Sequence, residues 1–293
     1  MPIAENQHYG HDQVLLEYCG LPKQSVIHHP IQHGWQPGPG FGAKRMAEPG
    51  AKILWSRRNL ESAQEQGYSD FLAIGAPFLY LPEPQVVAAA QAKSLLAIPF
   101  HGWEKEGLSG GMERYAEGLS ALSREGFGPI TVCLYWIEYE QAALRAVFEE
   151  RGFEVTTMGH RDGNPRFLHK QRSLMMQHSF VTSNRVCTAA FYALSLGVPF
   201  FLWGAVQGLS ESNDPSGELF DAWQRETFPQ LCRERFDGSC QRELGLRELG
   251  ADFLRAPEEL KGILHLGPRH VISRTVLRAR RYIHLRQRRR GAG

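Results

Sequence analysis

The chain has 293 residues, 42% hydrophobic and 22% charged, with a formal net charge of +2. That balance excludes disorder of the body, and no window approaches the roughly 18 unbroken apolar residues of a membrane span. Five cysteines, an odd number without a Cys-x-x-Cys spacing, argue against a disulfide framework or a zinc site.

In chain order, Asp12 to Tyr18 reads as a short helix ending at Gly20-Leu21-Pro22. Ser25 to Ile27 reads as a strand leading to a loop, Gln32-His33-Gly34-Trp35, rich in glycine and proline beyond it. Lys52 to Ser56 is a strand, and Asn59 then caps a polar helix from Leu60 to Gln66. Phe71 to Gly75 is the next strand, followed by a stretch marked by Pro77, Pro82 and Pro84 that reads as a domain crossover.

The alternation then resumes. Ser94 to Pro99 is a strand leading to a second His-Gly-Trp triplet at His101, and Gly111 to Glu125 a helix. Pro129 to Tyr135 is a buried strand, Glu140 to Arg151 a helix, Phe153 to Met158 a strand and Arg166 to His178 a helix. Ser179 to Thr182 is a strand, Ser183-Asn184 an N-cap, and a helix follows to Gly197 before the strand Val198 to Trp203. Strands alternating with helices predict βαβ units and a parallel sheet, so the fold class is α/β. The length suits two domains, 1–88 and 89–268, with a basic tail, 269–293.

A helix start just past a parallel strand presents unpaired N–H groups and a positive dipole end to anions. Ser183, Asn184 and Thr188 add hydrogen-bonding side chains at that place. Plain capping is the competing reading. His8-x-x-His11 and His28-His29 raise a metal site, but neither has an acidic or cysteine partner at ligand spacing, so no metal is expected. Asp162-Gly163-Asn164-Pro165 reads as a turn and nothing more.

Residues 183 to 204, Ser-Asn-Arg-Val-Cys-Thr-Ala-Ala-Phe-Tyr-Ala-Leu-Ser-Leu-Gly-Val-Pro-Phe-Phe-Leu-Trp-Gly, resemble the donor half of GT-B-type glycosyltransferases. The similarity is strongest to capsule polysaccharide enzymes and CDP-glycerol glycerophosphotransferases. Gln32-His33-Gly34 and Ile74-Gly75-Ala76-Pro77 match that family's amino-terminal domain at the level of pattern, so the likeness covers roughly residues 25 to 205. One departure stands out: Leu134-Tyr135-Trp136-Ile137-Glu138 replaces a Lys-x-His-Pro stretch, leaving Tyr135 or Glu138 to make that donor contact.

The resemblance implies two facing Rossmann-like domains with a basic C-terminal helix, and transfer of a sugar from a nucleotide-sugar donor to a polysaccharide or glycolipid hydroxyl. It implies His33 as base, with Gly34 and Trp35 on the acceptor side. It implies donor contacts from His101, Ser183, Asn184, Arg185, Thr188 and Glu138. No cofactor is expected beyond the donor. Imidazole, with its ordinary pKa near 6.5, is neutral enough to take a proton at cytoplasmic pH, and Gly34 leaves room beside it. The alternative for His33 is a loop histidine bonded to backbone. Transfer of glycerophosphate, a nucleotide-sugar epimerase, and a non-catalytic module that binds a glycan or partner remain open.

From Arg269 onward there are nine arginines and no acid, which leaves 24 basic against 31 acidic residues in the rest. Ile272, Val276, Ala279 and Ile283 form one helical stripe there. Such a helix suits docking on the acidic body or on an anionic membrane surface, and no nucleic-acid motif accompanies it. Met1 to Gly10 has no apolar signal region. The expectation is a cytoplasmic protein, peripheral at the inner membrane face if the tail binds lipid.

Overall fold

The computed structural model describes residues 3–83, 90–101, 108–109, 111–205, 208–209 and 216–264. The arginine-rich tail, and the Gly102-Trp103 part of the second triplet, lie outside them. Two compact units result: Met1–Glu83 with Arg161–Leu168 and Leu246–Gly293, and Pro84–His160 with His169–Gly245.

The first unit is built on parallel pairing. Strand β1 (Lys52–Leu54) pairs with β2 (Phe71–Ala73), and the helix Arg57–Glu65 connects them. A parallel bridge joins Ile31 to Ile53 on the other edge of β1. The strand expected at Ser25 to Ile27 is therefore displaced and shortened to this single bridge. Pro30 has no N–H to give, although its carbonyl accepts from Ile53. The outer edge of the stretch is instead satisfied by one buried side chain. Asn6 Nδ2 donates to the carbonyls of Ile27 (3.3 Å) and His29 (2.9 Å), and its Oδ1 accepts from Ile31 N–H (2.8 Å). Phe41, Met46, Leu54 and Ala63 make the unit's small core, with Leu60, Tyr68 and Phe71 against it.

The helix after β1 begins at Arg57, with Ser56 at its N-cap, not at Asn59. Asn59 lies inside the first turn and faces inward. Its Nδ2 donates to the carbonyls of Gln36 (3.1 Å) and Gly38 (2.7 Å), and its Oδ1 accepts from the Ser56 hydroxyl. The polar residue read as a cap is thus a clamp on the loop after His33. A returning segment closes the carboxyl end of β1 and β2. Ala76 N–H donates to Leu249 O at 2.8 Å, and a Cβ on Gly250, whose φ is +75°, would lie 1.9 Å from Trp55 O. No residue other than glycine fits there.

The second unit holds a five-stranded parallel sheet. Its strands are β3 (Leu95–Ala97), β5 (Ile130–Leu134), β6 (Glu154–Thr157), β7 (Phe180–Ser183) and β8 (Phe200–Leu202), ordered β6-β5-β3-β7-β8. A separate antiparallel pair joins β4 (Leu108–Ser109) to β9 (Gly208–Leu209). The helix Met112–Arg124 lays Tyr115, Ala116, Leu119 and Leu122 on the sheet at helical spacing, against Leu95, Val132, Phe148 and Phe201. The helix expected over Glu140 to Arg151 runs from Ala142 to Glu149, and a short helix not expected from the sequence, Trp136–Glu140, precedes it, with Gln141 in an extended backbone between the two. The parallel α/β architecture expected from the alternation is present in both units.

One buried ion pair ties the first unit's distant segments. Glu248 is only 3% exposed and receives Arg58 Nε (2.7 Å), Arg58 Nη2 (2.9 Å) and the Trp35 indole N–H (3.0 Å). Glu248→Ala removes the buried carboxylate to which Arg58 and Trp35 both donate and should lower stability by about 3 kcal/mol in urea titration. Arg247, 66% exposed and 3.9 Å from the same carboxylate, is the control, and Arg247→Ala should change stability by less than about 0.5 kcal/mol.

Candidate functional site

In the second unit the strand order reverses at β3, which pairs with β5 on one side and β7 on the other. The connections leaving such neighbours diverge and open a crevice at the carboxyl ends, where ligands of open α/β sheets bind. The segments after β3 and β7 meet there. Ile98 N–H donates to Thr182 O, and Phe100 N–H donates to Asn184 Oδ1 at 2.8 Å. Asn184 Nδ2 donates to Ala205 O at 2.8 Å, so one amide side chain joins the loops after β3, β7 and β8. Ser183 Oγ accepts from Arg185 N–H, and Val186 N–H donates to Gln224 Oε1.

The helix expected to begin at Ser183-Asn184 begins at Thr188 instead, with Cys187 at its N-cap. Asn184's amide holds two loops and is not available to start the helix. Ser183 and Asn184 are both buried. The partly exposed groups beside them are cationic and aromatic. The Arg185 guanidinium lies between the rings of Phe100 (4.4 Å) and Phe220 (3.9 Å). His101 stacks on Tyr135 with centroids 4.1 Å apart and planes 16° from parallel. Tyr135 caps the helix that carries buried Glu138, so the stretch that departs from the Lys-x-His-Pro pattern still borders this edge. All six expected donor residues therefore lie on the carboxyl-end segments of β3, β5 and β7.

In the first unit, His33 follows the Ile31 bridge at the corresponding end of its strand. Gln32, fully buried, fixes the loop by accepting from Trp55 N–H (3.1 Å) and donating to Gly34 O (2.9 Å). Trp35 is buried and its N–H goes to Glu248, so the expected acceptor-side tryptophan is part of the loop's anchorage. Anchored on both sides, the loop leaves His33 exposed.

Three residues that the sequence reading set aside gather beside it. The His8 ring meets His33 with centroids 5.6 Å apart and planes at 73°. Asp162, read only as a turn residue, contacts His8 Nδ1. His11 is buried between the Tyr9 and Trp55 rings, at 5.7 and 5.8 Å. Chain packed around the His33 ring, together with the neighbouring His8 and the Arg161 guanidinium, pushes its pKa down to about 4. Burial takes His11 lower, to about 3. Among the described residues, no three His, Cys, Asp or Glu side chains gather into a group that could hold a metal. Burial raises all five thiols, Cys19 to about 11 and Cys133 to about 12, so none is a thiolate at neutral pH.

No family model matches this chain, and no curated protein matches it. Solved structures that match include S. aureus MnaA in a co-structure with UDP. The identity is 11% and the TM-score 0.41, over 74% of this chain and 60% of that one. This chain thus spans about 60% of that structure's length. Similarity at that level identifies no activity. Among the described residues, no helix is long and apolar enough to cross a membrane.

The neutral histidines make stability depend on acid. His11 has a folded pKa far below its ordinary 6.5, so the unfolded chain binds the extra proton between about pH 6.5 and 3. Stability should be fully present above that window and fall as pH drops through it, by up to about 1.4 kcal/mol per pH unit for one such group. Urea midpoints measured from pH 7 to 4 should show this slope, and His11→Phe should remove about one proton's share of it.

Proposed function

We propose that this protein uses a nucleotide-linked sugar, binds its phosphates at the switch point of the second unit, and transfers the sugar to an acceptor hydroxyl. The observation that carries the reading is the arrangement at the β3/β7 crevice. His101 and Arg185 flank its mouth, Ser183 and Asn184 hold its floor, and Thr188 opens the helix behind it. The family resemblance of residues 183 to 204 supports the same ligand class. Arg185 offers a guanidinium already held between two rings, so little freedom remains to be lost when it meets a diphosphate. His101 adds a ring donor, and Tyr135 holds it by stacking.

His33 supplies the base in this reading. Its depressed pKa keeps the imidazole neutral, and a lone pair available, throughout the neutral range. The same depression makes it a weaker base, so Brønsted behaviour limits the rate it can support. The acceptor is a hydroxyl of a glycan or glycolipid, and anionic lipid is the proposed partner of the arginine-rich tail.

A thermal-shift series with UDP-, GDP- and CMP-linked sugars tests the donor site. A donor present at about 100 times its Kd adds about 2.7 kcal/mol, which for a protein of this size is a rise of roughly 5 °C or more. Arg185→Ala should abolish the rise. If no donor raises the melting temperature, the nucleotide-sugar reading fails. With a turning-over donor in hand, His33→Ala should lower kcat about 10²–10⁴-fold while the donor-induced shift persists. The acid limb of kcat/KM should fall near pH 4, not near 6.5.

A further inference from the structure

His8 is placed by an unusual piece of backbone. The 3₁₀ stretch Ala4–Gly10 breaks at His8 (ψ 132°) and at Tyr9, whose φ is +59°. A residue with a Cβ adopts the left-handed region when its surroundings impose it. Here they do. Tyr9 N–H donates to Arg161 O at 2.8 Å, and the Tyr9 ring meets Phe167 edge-on at 4.8 Å. Gly10 lies so close to Pro165 that a Cβ would come within 2.9 Å of its backbone. The segment that clamps Tyr9 and Gly10 also carries Asp162, the residue that contacts His8 Nδ1. The His8–Asp162 contact is therefore built by the fold around it and is not a chance meeting of surface side chains.

We propose that Asp162 and His8 form a positioning dyad for His33, the carboxylate fixing the orientation of the His8 ring and that ring, set at a steep angle against His33, holding the second imidazole as a proton acceptor in one orientation. An ionised carboxylate only accepts, so Nδ1 of His8 carries the hydrogen in either charge state. Two imidazoles in contact resist double protonation, so charge on His8 keeps charge off His33. The other charged or titratable groups around the pair are Arg161 and Glu5, with Arg45 bound to Glu5, and buried His11 behind them. Arg161 acts on His33 in the same direction as His8, and Glu5 opposes both. Burial contributes most to the low value, with His8 next, which fits a ring partly enclosed and partly governed by its neighbour.

The inference rests on the reading of His33 as a base, but its first test needs no substrate. Ring-proton NMR of the full chain gives the His33 titration midpoint directly, with His33→Gln used for assignment. In His8→Gln the midpoint should rise by about half a pH unit or more, while enclosure still keeps it below the ordinary value near 6.5. In Asp162→Asn it should rise by less. Asp162 is half-exposed and the change nearly isosteric, so this variant serves if His8→Gln does not fold. Identical midpoints in the folded variants and the parent overturn the dyad. The acid limb of kcat/KM should follow the His33 midpoint upward in each variant. A shifted midpoint in a protein without transferase activity leaves the dyad standing and removes the base reading. Transfer activity with an unmoved midpoint does the reverse.

Discussion

The placement of β3 between β5 and β7 is the constraint on which the second unit depends. A right-handed crossover carries the chain from β3 to β5 and on to β6, and it must then return to the opposite edge of β3 to form β7. The helices of the two halves consequently lie on opposite faces, and the segments leaving β3 and β7 part from one another. Where they part, backbone groups lose their sheet partners. Asn184 restores them, accepting from Phe100 and donating to Ala205. The divergence of the two segments and the amide that bridges them follow from one topological fact.

The first unit meets the same need with the same residue types. Asn6 replaces a missing neighbour strand beside His29 and Ile31, Gln32 bridges to Trp55, and Asn59 holds Gln36 and Gly38. Each is buried, and each spends its donor and its acceptor on the protein itself. A short amide can satisfy two backbone groups at once where the chain is too irregular for a ladder. In sequence, however, such a residue is indistinguishable from a helix cap or a ligand donor. That ambiguity explains two expectations: Asn59 was placed at a helix start that belongs to Ser56, and Asn184 at one that falls at Thr188.

What could be read from the chain was local. Apolar runs bounded by glycine and proline located β1, β2, β3, β5, β7 and β8, and helical spacing located Met112–Arg124. The carboxyl-end positions of His101 and Arg185 followed, because each lies just past such a run, whereas His33 follows only the single bridge at Ile31. Long-range geometry was not legible. No spacing announces that Glu248 will receive Arg58, 190 residues away, or that Asp162 will meet His8 across 154 residues. The short helix Trp136–Glu140 was also hidden, since five residues are too few to show a helical period.

The three histidines of the first unit show why residue type alone carries so little. His11, enclosed by Tyr9 and Trp55, is held neutral by burial and packs as an aromatic ring. His33 is also held neutral, by chain packed beside its ring, although the residue sits at the surface on an anchored loop. His8 is given a carboxylate, the only one of the three rings for which such a contact is found among the described residues. Neutral and reachable is the combination a base requires. Burial and local contacts give one side chain three different surroundings within a single unit.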